Sequence, residues 1–188
     1  ANPQITQTML DDSFLNVEAE LIDQLDEQFS IAEGAAFVSG DGTNKPKGFL
    51  AYTSVATADS SRAFGSLEYV PTGVAGDFAA SNKADVLFDT VGKLKRAYRA
   101  GSVWTMGKSI LFEIMKIKDA NGMYLWQPSE LVNGFGFSLL GFPVVEMEDM
   151  PVKAASSLSI AFGNFKRGYY VVDRIGTRDA FAAAATRH

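Results

Sequence analysis

The chain has 188 residues, of which 47% are hydrophobic and 21% are charged, with 17 basic and 22 acidic side chains. This size and composition indicate one globular domain with at most a small second lobe. The absence of cysteine excludes disulfides, thiolate nucleophiles and cysteine-bound metals. The single histidine is His188, so a histidine triad and a multi-histidine metal site are excluded as well.

The sequence has no feature that directs it to a membrane. No run of about 18 apolar residues predicts a transmembrane helix, and the opening stretch ANPQITQTMLDDS lacks the basic and apolar regions of a signal peptide. Because the chain does not begin with methionine, we expect it to be a processed, trimmed or cloned piece.

Charge is distributed unevenly along the chain. Residues 1–44 contain nine acids and no lysine or arginine, whereas the remainder carries 13 acids and 17 bases, a net charge of +4. An acidic solvated helix explains this split in a monomer. In a self-associating protein, the acidic face of one subunit can meet the basic face of a neighbour.

The first predicted element is one long helix of about twenty residues within the stretch DDSFLNVEAELIDQLDEQFSIAEGAAF at 11–37, capped by Asp12 or Ser13. Gly34 either ends this helix or lies within it. Glu20, Asp23 and Glu27 lie on a face of their own. Apolar residues recur every three or four positions on another face: Phe14, Val17, Leu21, Leu25, Phe29, Ala32 and Ala36.

The next stretch, GDGTNKPKGFL at 40–50, superficially resembles a phosphate-binding loop. A Walker loop requires Gly-Lys followed by Ser or Thr, but Lys45 precedes Pro46 and Lys47 precedes Gly48. Pro46 also removes a backbone donor. The sequence therefore favours a turn cluster whose glycines permit tight backbone geometry.

Residues 52–82 are rich in small and polar residues and are predicted to be irregular. A second helix is predicted from 83 to 101, capped by Ser81 or Asn82 and ended by Gly101. Its outer surface is basic, and the residues concerned are Lys93, Lys95, Arg96 and Arg99.

The rest of the chain mixes strands and helices without regular alternation. SVWTM and MYLW predict short strands, KSILFEIMKIKD predicts a third helix closed by the turn DANG, and LLGFPVVEMEDMP predicts a turn followed by an apolar strand. LSIAFGNFKRGYYVVDR predicts a strand, a tight basic turn and another strand. The pattern indicates the α+β class and not a doubly wound sheet.

Two local patterns offer chemistry. Glu146, Glu148 and Asp149 are carboxylates that could bind magnesium in a metal-dependent hydrolase, but an exposed strand end explains them more simply. GKLKRAYR and NFKRGYY mix bases with aromatics, as nucleic-acid sites do. With a pI near 4.9, a basic patch that meets acidic protein is the better interpretation. Trp104 and Trp126 are predicted to lie in the core.

Five stretches together resemble a known family: GDGTNKPKGFL, LKRAYRAGSVWTM, KDANGMYLWQP, LLGFPVVEMEDMP and IAFGNFKRGYYVVDR. In this order and spacing they resemble the major capsid protein of tailed phages and prophages, the Hong Kong 97 type. PQITQTMLDDS resembles the family's entry into its long spine helix. The resemblance runs from about Pro3 to Arg174.

The resemblance implies a two-lobed α+β subunit that has no enzymatic activity and no cofactor. Residues 1–34 would form the part of a peripheral domain that holds the spine helix. Residues 35–174 would form an axial domain of mixed sheet and helices that points toward the symmetry axes, and 175–188 would be a tail left from the peripheral domain. The family's N-terminal arm, extended loop and final peripheral strands are absent, so no crosslinking residue is carried over.

The resemblance also implies the partners. The chain would self-assemble into hexamers and pentamers of a virion capsid in the bacterial cytoplasm, with scaffold, protease and portal proteins as further partners and DNA packaged without sequence specificity. The predicted subunit interface places the acidic helix face against a neighbour's basic surface. Its residues are Glu20, Asp23, Glu27, Lys93, Lys95, Arg96 and Arg99.

Two alternatives remain at this point. The same fold could form an encapsulin-type nanocompartment that encloses an enzyme cargo, and the carboxylates at 146–149 leave the metal-dependent hydrolase open. Because the arm and the extended loop are absent, we expect this piece alone to be monomeric or weakly associated.

Overall fold

The computed structural model of the chain describes residues 17–118, 121–124 and 138–172. The predicted cap at Asp12 or Ser13, the residue Trp126 and the tail 175–188 lie outside these ranges. The helices are α1 (Val17–Ser39), α2 (Asp85–Lys93), α3 (Arg96–Arg99), α4 (Lys108–Met115) and α5 (Phe165–Gly168), with a 3-10 turn at Phe49–Ala51. The strands are β1 (Ser54–Val55), β2 (Leu67–Glu68), β3 (Val103–Met106), β4 (Ser138–Leu139), β5 (Phe142–Glu146) and β6 (Ile160–Gly163).

The main sheet has the strand order β4-β5-β3-β6, with β3 at its centre. Strand β3 pairs in parallel with β5 and antiparallel with β6, whereas β1 and β2 form a separate parallel pair. The mixture of helices and a mixed sheet confirms the α+β class predicted from the sequence.

The core lies between the sheet and helix α4. Trp104 and Met106 of β3 are fully buried, and the Trp104 indole N–H donates to the Leu139 carbonyl at 3.0 Å. Helix α4 contributes its buried stripe of Ile110, Leu111 and Ile114. The prediction that Trp104 is a core residue is therefore confirmed, and its ring packs on Phe162 of β6 at a centroid distance of 4.4 Å.

Helix α1 continues through Gly34 and ends at Ser39, two residues beyond the stretch predicted as helix. Among its described residues, the last turns are the most buried: Gly34–Phe37 are half-buried and Val38 is fully buried. The 23 residues of α1 correspond to a rod about 34 Å long.

The predicted second helix is wrong in its extent, because the chain forms two helices there. Leu94 is extended, with ψ of 126°, and separates α2 from α3. The Arg99 guanidinium donates to the carbonyls of Leu94 at 2.8 Å and Gly92 at 3.2 Å, and so takes the acceptors that a continuous helix would use. The predicted caps are also wrong, because Ala84 is the N-cap and no side chain caps the helix.

Three smaller predictions are corrected in the C-terminal half. Helix α4 ends at Met115, short of the predicted 119. The turn before β5 is Leu140-Gly141, two left-handed residues that form a tight hairpin, while the predicted turn residue Phe142 belongs to β5. After β6 the predicted tight turn is helix α5, whose N-terminus Asn164 caps, and no strand follows among the described residues up to Val172.

Candidate subunit interface

The acidic face of helix α1 is open to solvent. Glu20, Asp23 and Glu27 are all exposed, and Glu20 accepts a hydrogen bond from the side chain of Gln24 one turn later, at 3.1 Å. Between residues 19 and 33, only Leu21 and Leu25 are even half-buried. This surface is therefore available to a partner along most of the rod.

Two of the four predicted basic residues form ion pairs within the subunit instead. Lys93 lies 3.1 Å from a carboxylate oxygen of Glu68, and Lys95 pairs with Asp59. Arg62 joins these pairs, because its guanidinium contacts Glu68 at 2.9 Å and Asp59 at 3.0 Å. We call the five residues Asp59, Arg62, Glu68, Lys93 and Lys95 the ion-pair cluster; it fixes the β1–β2 connection to the end of α2.

The charges of the cluster shift one another's protonation equilibria. The Lys95 ammonium, as hydrogen-bond donor and positive charge, lowers the pKa of Asp59 below 3.8. The same contact raises the pKa of Lys95 above 10.5. Both groups are exposed to solvent, so the pairing positions the loop more than it stabilises the fold.

Arg99 and Arg96 differ in direction. Arg99 is half-buried, and its guanidinium donates to backbone carbonyls at the end of α2. The Arg96 side chain is exposed and makes no hydrogen bond or ion pair with another described residue. Sequence reasoning missed the partners of Lys93 and Lys95 because they lie 25 and 36 positions earlier in the chain. The sequence signal that could have indicated these partners is the pair of acids in ADSSRAFGSLE, Asp59 and Glu68.

The glycine-rich loop after α1 closes on itself. The Gly48 N–H donates to the Gly40 carbonyl at 2.9 Å, and Asp41 and Lys47 form an antiparallel bridge. Asp41 accepts from the Thr43 N–H at 2.9 Å, which lowers its pKa below 3.8. The polar groups of this loop hydrogen-bond to one another, which supports the prediction that the loop is a turn cluster and not a phosphate-binding loop.

Tyr169, which follows α5, anchors this loop to the body. Its hydroxyl donates to the Lys47 carbonyl at 2.9 Å, and its ring lies edge-on to Phe37 at 6.3 Å. Burial raises the pKa of Tyr169 above 10.0, so the hydroxyl stays a donor at neutral pH. Phe49 and Phe165 pack together at 5.2 Å. Helix α5 therefore sits at the carboxyl end of α1.

Comparison with known proteins identifies the family. The model of the Phage capsid family matches residues 1–183. The chain belongs to the phage capsid family.

Two solved structures resemble this capsid-family chain closely. One is described as the capsid of an empty gene transfer agent (GTA) particle and the other as the capsid of a native GTA particle, both computed with C5 symmetry. They are 44% and 45% identical to this chain, each with a TM-score of 0.78, and each match covers 88% of this chain and 55% of the other. The chain spans just over half the length of these solved relatives. No curated protein matches the sequence.

The family assignment favours a capsid subunit over the hydrolase alternative. In this capsid-family chain, Glu146, Glu148 and Asp149 are exposed, and the described residues contain no group of three potential metal-binding side chains. A groove of about 670 Å³ beside the end of α4 has a mixed lining of apolar, basic and acidic side chains, and its Glu113 is paired with Lys153 at 2.6 Å. Within the described ranges, no helix is long and apolar enough to cross a membrane.

Proposed function

We propose that the protein is a structural subunit of an icosahedral phage-type capsid. The family match over residues 1–183 carries this proposal, and the GTA capsid structures at 44% and 45% identity support it. The subunit assembles with copies of itself into pentamers and hexamers around packaged DNA, without catalytic activity. It acts in the particle after assembly in the host cytoplasm, with scaffold, protease and portal proteins as further partners.

The geometry fits a protein that works through its surfaces. A helix that leaves most of its residues 19–33 exposed is costly for an isolated subunit, because its apolar side chains Ile22, Phe29 and Ile31 are each more than half exposed. In a shell, many modest interfaces closed by symmetry cover such surfaces. We assign residues 1–34 to the peripheral part of the subunit and 35–174 to its axial part.

Contacts within the subunit reduce the set of predicted interface residues, because three of them already bind groups of their own subunit. Glu20, Asp23, Glu27 and Arg96 are the residues that we retain as candidates for contacts between subunits. Lys93, Lys95 and Arg99 position the neighbouring backbone and loop within their own subunit. An encapsulin-type shell is less well supported, because the similar solved structures are GTA capsids.

Electron microscopy of particles formed by the complete natural protein tests the proposal. We expect closed shells of pentamers and hexamers with nucleic acid inside, and a nuclease-protected DNA band in the purified particles. Shells that contain a protein cargo and no nucleic acid would favour the nanocompartment. A protein that stays monomeric under all assembly conditions would exclude a capsid role.

A further inference from the structure

Two basic and aromatic motifs that lie about seventy residues apart in the sequence come together in the fold. LKRAYR contains α3, and NFKRGYY contains α5. The Asn164 side chain donates to the Ala100 carbonyl at 2.7 Å, and the Arg167 guanidinium lies 6.0 Å from the centre of the Tyr98 ring. The antiparallel pairing of β3 with β6 brings the two short helices to the same end of the sheet.

The two short helices at this junction carry exposed basic side chains around the Arg167–Tyr98 contact, and we call them the basic patch. Its members are Arg96, Tyr98, Lys166 and Arg167, and all four are exposed. None of its three cations has an acidic partner among the described residues, in contrast to Lys93 and Lys95 nearby. Three exposed cations beside a tyrosine give this surface a positive charge that suits an anionic partner.

The acidic face at Glu20, Asp23 and Glu27 lies away from the end of α1 that contacts α5 in the same subunit. The Phe37–Tyr169 contact places α5 at the carboxyl end of α1. Glu27 and Glu20 precede Phe37 by 10 and 17 residues, which corresponds to about 15 and 26 Å along the helix axis. This separation from the Phe37–Tyr169 contact favours a second copy as the source of the acidic face.

We propose that the basic patch of one subunit binds the acidic face of helix α1, at Glu20, Asp23 and Glu27, in a neighbouring copy. This inference rests on the proposed capsid function and names one contact that builds the shell. The two surfaces are complementary in charge and lie at separate places on one subunit, so the contact is heterologous, and it builds a ring when the rotation between copies closes. Residues 1–44 carry no basic side chain that would repel the patch.

Nucleic acid is the weaker candidate for the same patch. Three cations neutralise few phosphates, and affinity for DNA grows with the number of phosphates neutralised. The chain as a whole carries a charge of −5, which opposes its approach to DNA.

Charge reversal in the complete natural protein tests the contact. One variant carries Lys166→Glu and Arg167→Glu, a second carries Asp23→Lys and Glu27→Lys, and a third combines all four changes. We expect each double variant to slow assembly, followed by light scattering at low salt, by about tenfold or more, and the combined variant to recover to within about threefold of wild type. Circular dichroism checks that each variant is folded.

A matched control applies the same change of charge elsewhere. Lys83→Glu with Lys116→Glu alters two exposed lysines of the groove beside α4, and should neither slow assembly nor rescue the Asp23→Lys, Glu27→Lys variant. Rescue by the patch reversal alone supports the proposal.

Three outcomes overturn it. The combined variant could assemble no better than the weaker double variant, or the groove control could rescue equally well. Alternatively, the patch variant could assemble normally but lose affinity for a short DNA duplex in fluorescence anisotropy, which would make the patch a nucleic-acid surface. In each case wild-type assembly leaves the capsid function standing, whereas a wild type that never assembles refutes the function and this contact together.

Discussion

Gly40 and Gly48, in the loop after α1, lie where a β-carbon would collide with neighbouring backbone atoms. Gly48 has an ordinary φ of −64°, yet a β-carbon there would lie 2.4 Å from the carbonyl carbon and oxygen of Val38. At Gly40 it would lie 2.1 Å from the Pro46 carbonyl oxygen. These two glycines let the chain fold back against the end of α1, which no larger residue permits.

We therefore predict that Gly48→Ala destabilises the protein by more than about 3 kcal/mol, because rigid backbone must move. Gly92→Ala is the matched control. Gly92 lies inside α2, where a β-carbon would meet no atom within 4 Å beyond its own stretch of helix, so alanine there should stabilise the helix by about 0.5–1 kcal/mol. Urea unfolding of both variants measures the difference, and equal effects would refute the steric argument.

The sequence showed which residues of the candidate interface are charged, but not which partners their side chains contact. Glu20, Asp23 and Glu27 were predictable as one exposed face, because helical periodicity alone places them there. The fate of Lys93 and Lys95 depends on a loop 25 to 36 residues away, which periodicity cannot locate. Likewise, the meeting of Tyr98 with Arg167 requires the sheet pairing to be known.

At the scale of elements, the ion-pair cluster connects the β1–β2 loop to helix α2. Since Lys95 lowers the pKa of Asp59, this pair favours the folded state above pH 3.8, and the contribution is lost as the pH falls through the lowered pKa. Because the pKa of Lys95 is raised above 10.5, the pair continues to favour the folded state until the pH rises through that raised pKa. The connection should therefore hold throughout the neutral range.

We predict that carboxylate titration by NMR gives Asp59 a pKa below 3.8 and that Lys95→Met moves it upward toward 3.8. Asp41 is an internal control, because its lowered pKa comes chiefly from the Thr43 backbone N–H. It should not respond to Lys95→Met. An unchanged Asp59 in the variant would show that the pair does not form in solution.

Elements with strong local patterns were predicted well, and those set by long-range contacts were not. Helix α1, strand β3 and helix α4 follow directly from periodicity and β-branched content. The break at Leu94 was missed because Arg99 competes for the backbone carbonyls, and no local pattern reports that competition. The helical turn α5 was missed because NFKRG has the composition of a loop.

The whole molecule combines a packed body with an exposed rod. Residues 19–33 of α1 have few neighbours, whereas the end of the helix and strand β3 are buried. An isolated helix of this length is only marginally stable in water, so its amide hydrogens should be accessible to exchange.

We predict that hydrogen exchange in the unassembled subunit is fast in 19–33 and slow in β3 and α4. In assembled particles the same stretch should become protected, because neighbouring subunits cover it. Mass spectrometry of peptic fragments measures both states, and β3 serves as the control that stays protected throughout. Equal exchange of 19–33 before and after assembly would place this surface outside the contacts of the shell.

The position of β3 at the centre of the sheet has a consequence for synthesis on the ribosome. Both strands that pair with β3 follow it in the chain, and pairing is complete only at Gly163, 57 residues after Met106. At a translation rate of about 5–20 residues per second, the apolar strand waits about 3–11 seconds for its last neighbour. During that interval a nascent subunit exposes the strand that is most buried in the finished fold, which is when a chaperone would bind it.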